Sequence, residues 1–185
     1  MAEYGARCIL YRGSFTKLLE AYSRPYMEEL TNGYETLSIR YLPSLSVNDT
    51  EDVEYLQKRF YETLCHKKKL ELERGQAMIG PHRDDFEFLI NEKSARLFAS
   101  QGQQRSVILC IKLAMADIIK DRTGFLPVLL MDDILSELDK KRQSFLTDKI
   151  KGKQTIITCT SIGGLRKSKH ASFFTVEQGH ILKDE

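Results

Sequence analysis

Tyr4, Cys8, Tyr11, Phe15, Leu18 and Tyr22 recur at alternating steps of four and three. That spacing draws a narrow apolar seam along a helix, of the kind used in helix packing. The seam is expected to be core. Asn32-Gly33 ends or turns this helix, since both residues accept left-handed backbone. The period then changes. Leu37, Ile39 and Tyr41 alternate and predict a short strand, stopped at Pro43. Asp49 or Thr50 is placed to cap a second helix, with Val53, Leu56, Phe60 and Leu64 on one face.

A second part begins at Gly75. Phe86, Phe88 and Ile90 alternate, and Asn91-Glu92-Lys93 reads as a hairpin connection to Arg96-Leu97-Phe98. Val107, Ile111, Ala114 or Met115, and Ile118 return to helical spacing, with Gly124 as the stop. Leu126 to Met131 is apolar without alternation, which suits a strand buried on both faces of a parallel sheet. A short helix near Lys141 to Ile150 follows, then strands at Thr155–Cys159 and Phe173–Val176. Strand, helix and strand in alternation predict an α/β fold with a parallel core. The expected organisation is a largely helical lobe over 1–75 and an α/β part over 76–185, without internal repeats.

Composition narrows the class. With 42% hydrophobic and 29% charged residues, the 185-residue chain reads as globular and soluble. A net charge of +2 does not by itself point to nucleic acid. Cys8, Cys65, Cys110 and Cys159 are scattered and read as reduced thiols. Cys65-His66 lacks a second ligand pair, which argues against zinc. The longest apolar tract, around Val107 to Ile119, is broken by Lys112 and Asp117 and cannot span a bilayer. No signal peptide is read, so a cytoplasmic location is expected.

Two stretches carry chemistry. Met131 is followed by Asp132-Asp133. Burying two carboxylates would cost several kcal/mol each, so they belong at the strand's exit, where open α/β sheets bind ligands. There an Asp pair can hold a hydrated Mg²⁺ and orient a water; alternatively it caps the next helix. Upstream lies Ser100-Gln101-Gly102-Gln103-Gln104-Arg105-Ser106, immediately before the apolar-periodic helix. A capped helix start with bare N–H groups is an anion site, or merely an ordinary cap. Its order before an acidic strand end makes the first reading far more specific. The loop that grips a nucleotide's own phosphates, Gly-x-x-x-x-Gly-Lys-[Ser/Thr], occurs nowhere in the chain. Lys67-Lys68-Lys69 and Arg166, Lys167 and Lys169 are candidate contacts to DNA phosphates, though solvated helix ends are the plainer reading. His82, Arg83, Asp84 and Asp85 read as an ion-paired turn or as metal chemistry.

Three stretches together resemble the bacterial RecF family, whose members carry an ABC-type ATPase head. They are Gly80-Pro81-His82-Arg83-Asp84-Asp85, Phe98 through Ser106, and Asp132-Asp133-Ile134-Leu135-Ser136-Glu137-Leu138-Asp139. Met1-Ala2-Glu3-Tyr4-Gly5-Ala6-Arg7 also resembles a stretch from the middle of those proteins. The resemblance spans essentially the whole chain and implies a C-terminal half: part of the ATPase head, with a helical lobe. It implies that Ser100, Gly102 and Gln103 form the signature that caps the γ-phosphate of ATP held by a partner subunit. Asp132 then faces Mg²⁺, directly or through water, and Asp133 takes the catalytic carboxylate's place. Many ABC ATPases have Glu there, so the shorter Asp implies slow hydrolysis. Ser136 to Asp139 becomes a loop crossing the dimer interface. Thr158 and Thr160 lie where many ABC enzymes have a switch His, and are the candidates for that role. ATP and Mg²⁺ are the implied cofactors, both needing a half with the phosphate loop, and only the joined halves are expected to be a weak ATPase. The implied partners are an ATP-dependent second copy, double-stranded DNA beside single-strand gaps, and recombination mediator proteins of the RecO/RecR type that support recombinase loading. Two alternatives remain: a non-enzymatic module that binds DNA or protein, and a metal-dependent nuclease built on Asp84, Asp85, Asp132 and Asp133.

Overall fold

The computed structural model describes residues 1–45, 52–133, 135, 138–160 and 171–183. The chain parts into two compact units, Met1–Phe125 and Leu126–Glu185. The sequence pattern placed a boundary at Gly75 instead. Strand pairing crosses that position: β1, Leu37–Leu42, lies antiparallel to β2, Asp85–Ile90.

The first unit is organised around α1, Ala2–Thr31, which packs against α2, Val53–Arg74, and α4, Gln101–Thr123. The predicted aromatic seam is not its buried face. Tyr4 and Tyr11 are each 74% exposed, and Cys8 and Phe15 are exposed too. The buried positions are Gly5, Ala6, Ile9, Thr16, Ser23, Met27 and Leu30. Several are small or hydroxyl-bearing, so apolar periodicity undercounts them. Their smallness is what the packing uses. A Cβ on Gly5 would stand 2.9 Å from the tip of the Phe60 ring, so only glycine admits the ring there. Ala6, Ile9, Leu45, Leu56, Phe60 and Ile79 close this part of the core.

The start of α2 also differs from expectation. Its cap is Asp52, whose carboxylate accepts from the Tyr55 N–H at 2.7 Å. Asp49 and Thr50 lie outside the described residues. Leu56 and Phe60 are buried as expected and Leu64 packs beside them, while Val53 is exposed.

β2 turns into β3, Lys93–Ser94, through Asn91-Glu92. Both turn residues have positive φ, 49° and 62°, the signature of a primed hairpin turn. The strand expected at Arg96–Phe98 is instead a single helical turn, α3, Ala95–Phe98. Three residues are too few for periodicity to separate helix from strand. α4 buries Val107, Leu109, Cys110, Leu113, Ala114, Ala116 and Ile118, and ends at left-handed Gly124.

The second unit contains a parallel pair, β4 (Leu129–Met131) and β5 (Thr155–Ile157), with α5, Lys140–Lys149, between them in sequence. The expected strand at 155–159 is thus shorter than predicted. Leu129 and Met131 are buried, but Leu130 is 68% exposed. Its register partner Ile156 is 55% exposed. The expected two-faced burial is therefore one-faced in this chain. β6, Phe174–Glu177, and β7, His180–Lys183, form an antiparallel hairpin; the pattern had shown only the first of the two. No helix among the described residues is long and apolar enough to cross a membrane.

Candidate nucleotide site

Ser100 is the N-cap of α4, with extended backbone (φ −63°, ψ 159°). Its hydroxyl accepts from the Gln103 N–H at 3.3 Å, and the Gln103 side-chain oxygen accepts from the Ser100 N–H at 2.8 Å. This reciprocal capping box closes two of the orphan donors at the helix start. The N–H groups of Gln101 and Gly102 also belong to the first turn, where a helix supplies no internal acceptor. Ser100 is exposed, and the 23-residue helix aims its positive end at it. Gln104 fastens the preceding loop by donating to the carbonyls of Ala95 and Ala99 at 3.4 and 3.3 Å. The cap reading and the anion-site reading are thus both physically met: the cap shapes the N-terminus that an anion would meet.

In the second unit, parallel pairing brings Thr158 to the acidic strand end. The Thr158 N–H donates to the Met131 carbonyl at 2.9 Å, continuing the ladder one step past β5. The Thr158 hydroxyl donates to Asp132 Oδ1 and accepts from the Asp133 N–H at 3.0 Å. One threonine therefore touches both acidic residues. Asp132 is exposed and keeps a second carboxylate oxygen beyond the one Thr158 engages. An exposed carboxylate at a parallel strand's carboxyl end fits a hydrated Mg²⁺. Asp133 has φ 45°, a left-handed backbone uncommon outside glycine. Thr160 is exposed, and among the described residues no hydrogen bond joins it to the acidic pair.

Asp139 caps α5. Its carboxylate accepts from the Arg142 N–H at 2.9 Å and pairs with the Arg142 guanidinium. The backbone bond from Arg142 is the leading reason its carboxyl is held below the usual range. Gln143 donates to the carbonyls of Leu135 and Leu138, both at 2.9 Å, and those leucines are buried. The segment before α5 is thus pinned from the helix side. Ser136 lies outside the described residues, as do Arg166, Lys167 and Lys169. Lys67, Lys68 and Lys69 follow one another on α2. At about 100° per residue they spread around the helix rather than forming one face.

His82–Asp85 read as an ion-paired turn or as metal chemistry, and at Asp84 the structure shows the ion pair. The Asp84 side chain is 0% exposed. Arg12 Nη1 donates to Oδ2 at 3.1 Å, the Tyr41 hydroxyl donates to the same oxygen, and the Ser44 N–H donates to Oδ1 at 2.8 Å. Ser44 also exchanges hydrogen bonds with Gly80 at 3.0 Å. Desolvation, then the bond to Asp84, pushes the Tyr41 hydroxyl well above the ordinary tyrosine range. A carboxylate so enclosed is committed to holding α1, β1 and the turn together. Asp85 is exposed and accepts from the Phe86 N–H at 2.8 Å. Among the described residues no group of three or more His, Cys, Asp or Glu is placed to hold a metal.

No family model matches the chain. Individual proteins do. It is 41% identical over 185 residues to the DNA replication and repair protein RecF of Staphylococcus carnosus, covering 98% of this chain and 50% of that protein. The RecF of Geobacillus thermodenitrificans is 40% identical over 179 residues, covering 95% and 48%. A solved structure of the recombination mediator protein RecF with ATP, described as part of the RecFOR pathway, superposes over 100% of this chain and 48% of its own length. It does so with a TM-score of 0.83 at 33% identity. The chain belongs to the RecF family. It spans about half the length of the curated relatives it matches, and the matching part is their C-terminal half. Its fold is accordingly part of an ABC-type ATPase head with a mainly helical N-terminal lobe.

Proposed function

We propose that this chain supplies the signature and the acidic strand of a RecF-type ATPase acting in DNA replication and repair. In this reading the Ser100–Gln103 cap meets the γ-phosphate of ATP bound by a second copy. Asp132 holds Mg²⁺ through its exposed oxygen, and Mg²⁺ supplies charge neutralisation at the phosphates when bound. Asp133 orients the attacking water, and Thr158, touching both carboxylate residues, reports on the phosphate; Thr160 is the weaker candidate. Asp139 and Ser136 sit at the interface between copies. ATP thereby joins two heads on duplex DNA beside single-strand gaps. Mediator proteins of the RecO/RecR type then support recombinase loading. Lys67, Lys68 and Lys69, with Arg166, Lys167 and Lys169, are the candidate phosphate contacts on DNA. The cytoplasm is the proposed location.

The observation that carries this reading is the match of the whole chain to a RecF structure solved with ATP. The geometry at Ser100 and at Asp132 supports it independently. The nuclease alternative loses support, because Asp84 is enclosed and already accepts from three groups. The non-enzymatic alternative draws on one fact, the lack of a phosphate loop in the sequence; DNA binding that ignores ATP would favour it.

The decisive experiment is Ser100→Arg in this chain joined to the N-terminal half of the Staphylococcus carnosus relative, the half expected to carry the phosphate loop. ATP binding to each monomer should survive, because that loop lies elsewhere. Dimerisation driven by a non-hydrolysable ATP analogue should be lost. A ligand shifts an equilibrium only by its differential affinity for the two states, and a long guanidinium would occupy the gap that must close. DNA binding should weaken with it, since two heads offer more basic contacts than one. Sedimentation with the analogue reads the outcome. A variant that dimerises as readily as the parent makes Ser100 a helix cap and nothing more.

A further inference from the structure

Gln103 is held from two sides. Its side-chain oxygen accepts from the Ser100 N–H at 2.8 Å, and its side-chain NH₂ donates to Glu35 Oε1, also at 2.8 Å. Glu35 lies in the link between α1 and β1, far from the signature in sequence. It is anchored there, because its N–H donates to the Thr31 hydroxyl at 3.1 Å. Its other carboxylate oxygen, Oε2, is buried and has no hydrogen-bond partner. Glu35 is half-buried, and a buried carboxylate oxygen without a partner is costly and calls for an explanation. Apolar packing alone does not explain it, since leucine would fill such a place without the cost.

The chemistry of the amide supplies one. A glutamine side chain has one acceptor end and one donor end, and a carboxylate only accepts. Facing Glu35, Gln103 must present its NH₂. Its oxygen is then turned toward Ser100 and closes the capping box. We propose that Glu35 is a positioning residue for the signature: it selects the Gln103 orientation that ties down Ser100 and so preforms the α4 N-terminus. The step from a preformed N-terminus to ATP-driven dimerisation rests on the function proposed above. The positioning itself does not.

Three substitutions separate the possibilities. Glu35→Gln keeps an acceptor for Gln103. Glu35→Lys offers only donors, so it demands the opposite amide orientation and sets two donors against each other at Ser100. Glu35→Leu keeps bulk and removes the acceptor. Amide hydrogen exchange is followed by NMR in the chain itself, at Ser100 and at Leu113, a buried residue in the interior of α4. Glu35→Lys should speed exchange at Ser100 roughly tenfold, the scale of one lost hydrogen bond, with Leu113 unchanged. Glu35→Gln should match the parent. Unchanged exchange at Ser100 in Glu35→Lys overturns the inference, as does a Glu35→Gln protein as fast as Glu35→Lys. If Glu35→Lys loosens the whole unit and moves both amides, Glu35→Leu decides: acceleration at Ser100 alone supports the inference, and equal acceleration at both ends it. In the chain joined to the relative's N-terminal half, Glu35→Lys should weaken analogue-driven dimerisation roughly tenfold with ATP affinity unchanged. There Ser100→Arg is the reference. If Ser100→Arg still dimerises, the trans-signature function fails and the exchange result stands. If Ser100→Arg does not dimerise and Glu35→Lys does so normally, the link from Glu35 to dimerisation fails.

Discussion

Replacing Asp84 by alanine removes the acceptor on which Arg12, Tyr41 and the Ser44 N–H converge. Arg12 reaches solvent and recovers part of the loss, while Tyr41 and the Ser44 amide recover less. We expect Asp84→Ala to destabilise the chain by about 2–3 kcal/mol, toward the low end for a broken buried pair. Asp84→Asn, which keeps one acceptor, should lose less; urea unfolding of the two variants gives the comparison. The neighbouring carboxylates are used differently. Asp133 sits in left-handed backbone, where Asp and Asn are enriched over longer side chains. An Asp at position 133, the carboxylate proposed above to orient water, thus agrees with its own φ. At this scale the sequence was legible where a residue's partner is local. Ser100 and Gln103 are three apart, and their cap could be read directly. Asp84 and Glu35 could not be read, because Arg12, Tyr41 and Gln103 reach them only through the tertiary fold. The charged run His82–Asp85 and the resemblance at Gly80–Asp85 pointed to Asp84, but not to its partners.

Helix α1 shows the same limit at the level of elements. Its length and its end at Asn32 follow from the pattern, but its buried face does not. Periodicity weighs large apolar side chains, whereas this face is made with Gly5, Ala6, Thr16 and Ser23. Ile9→Ala should therefore cost about 2–4 kcal/mol, within the range for truncating a buried isoleucine. Tyr11→Ser should stay within about 0.5 kcal/mol, as for an ordinary surface position. Thermal melts of the two variants test which face is core; a large loss in Tyr11→Ser would restore the aromatic seam. The opposite end of α1 meets α4 through Tyr26, whose hydroxyl donates to Asp117, and Tyr22, which donates to Asp121 at 2.5 Å. Strands were legible where they were long enough to alternate, as in β1 and β2. The three-residue strands and the single turn α3 were blurred, since neighbours across the sheet decide them.

For the whole molecule, the sequence pointed to the two candidate stretches, Ser100–Ser106 and Asp132–Asp139, because each is contiguous. What it could not show is that Leu130 and Ile156, neighbours on the β4–β5 pair, are both exposed. Phosphoryl transfer depends on positioning and charge stabilisation, and the phosphate loop is not among these residues. The chain by itself should therefore hydrolyse no ATP above background. Magnesium-dependent turnover that disappears in Asp133→Asn would contradict this, measured as phosphate release from the purified chain. Adding the N-terminal half of a relative should confer ATP binding by pairing with the two-stranded β4–β5 sheet. The open strip formed by Leu130 and Ile156 carries this into the laboratory. Neighbouring apolar side chains on a strand pair are sticky at high concentration. Yield of the isolated chain should then be governed by colloidal behaviour more than by folding strength, and the remedy is co-production with the N-terminal half of a relative rather than a lower growth temperature.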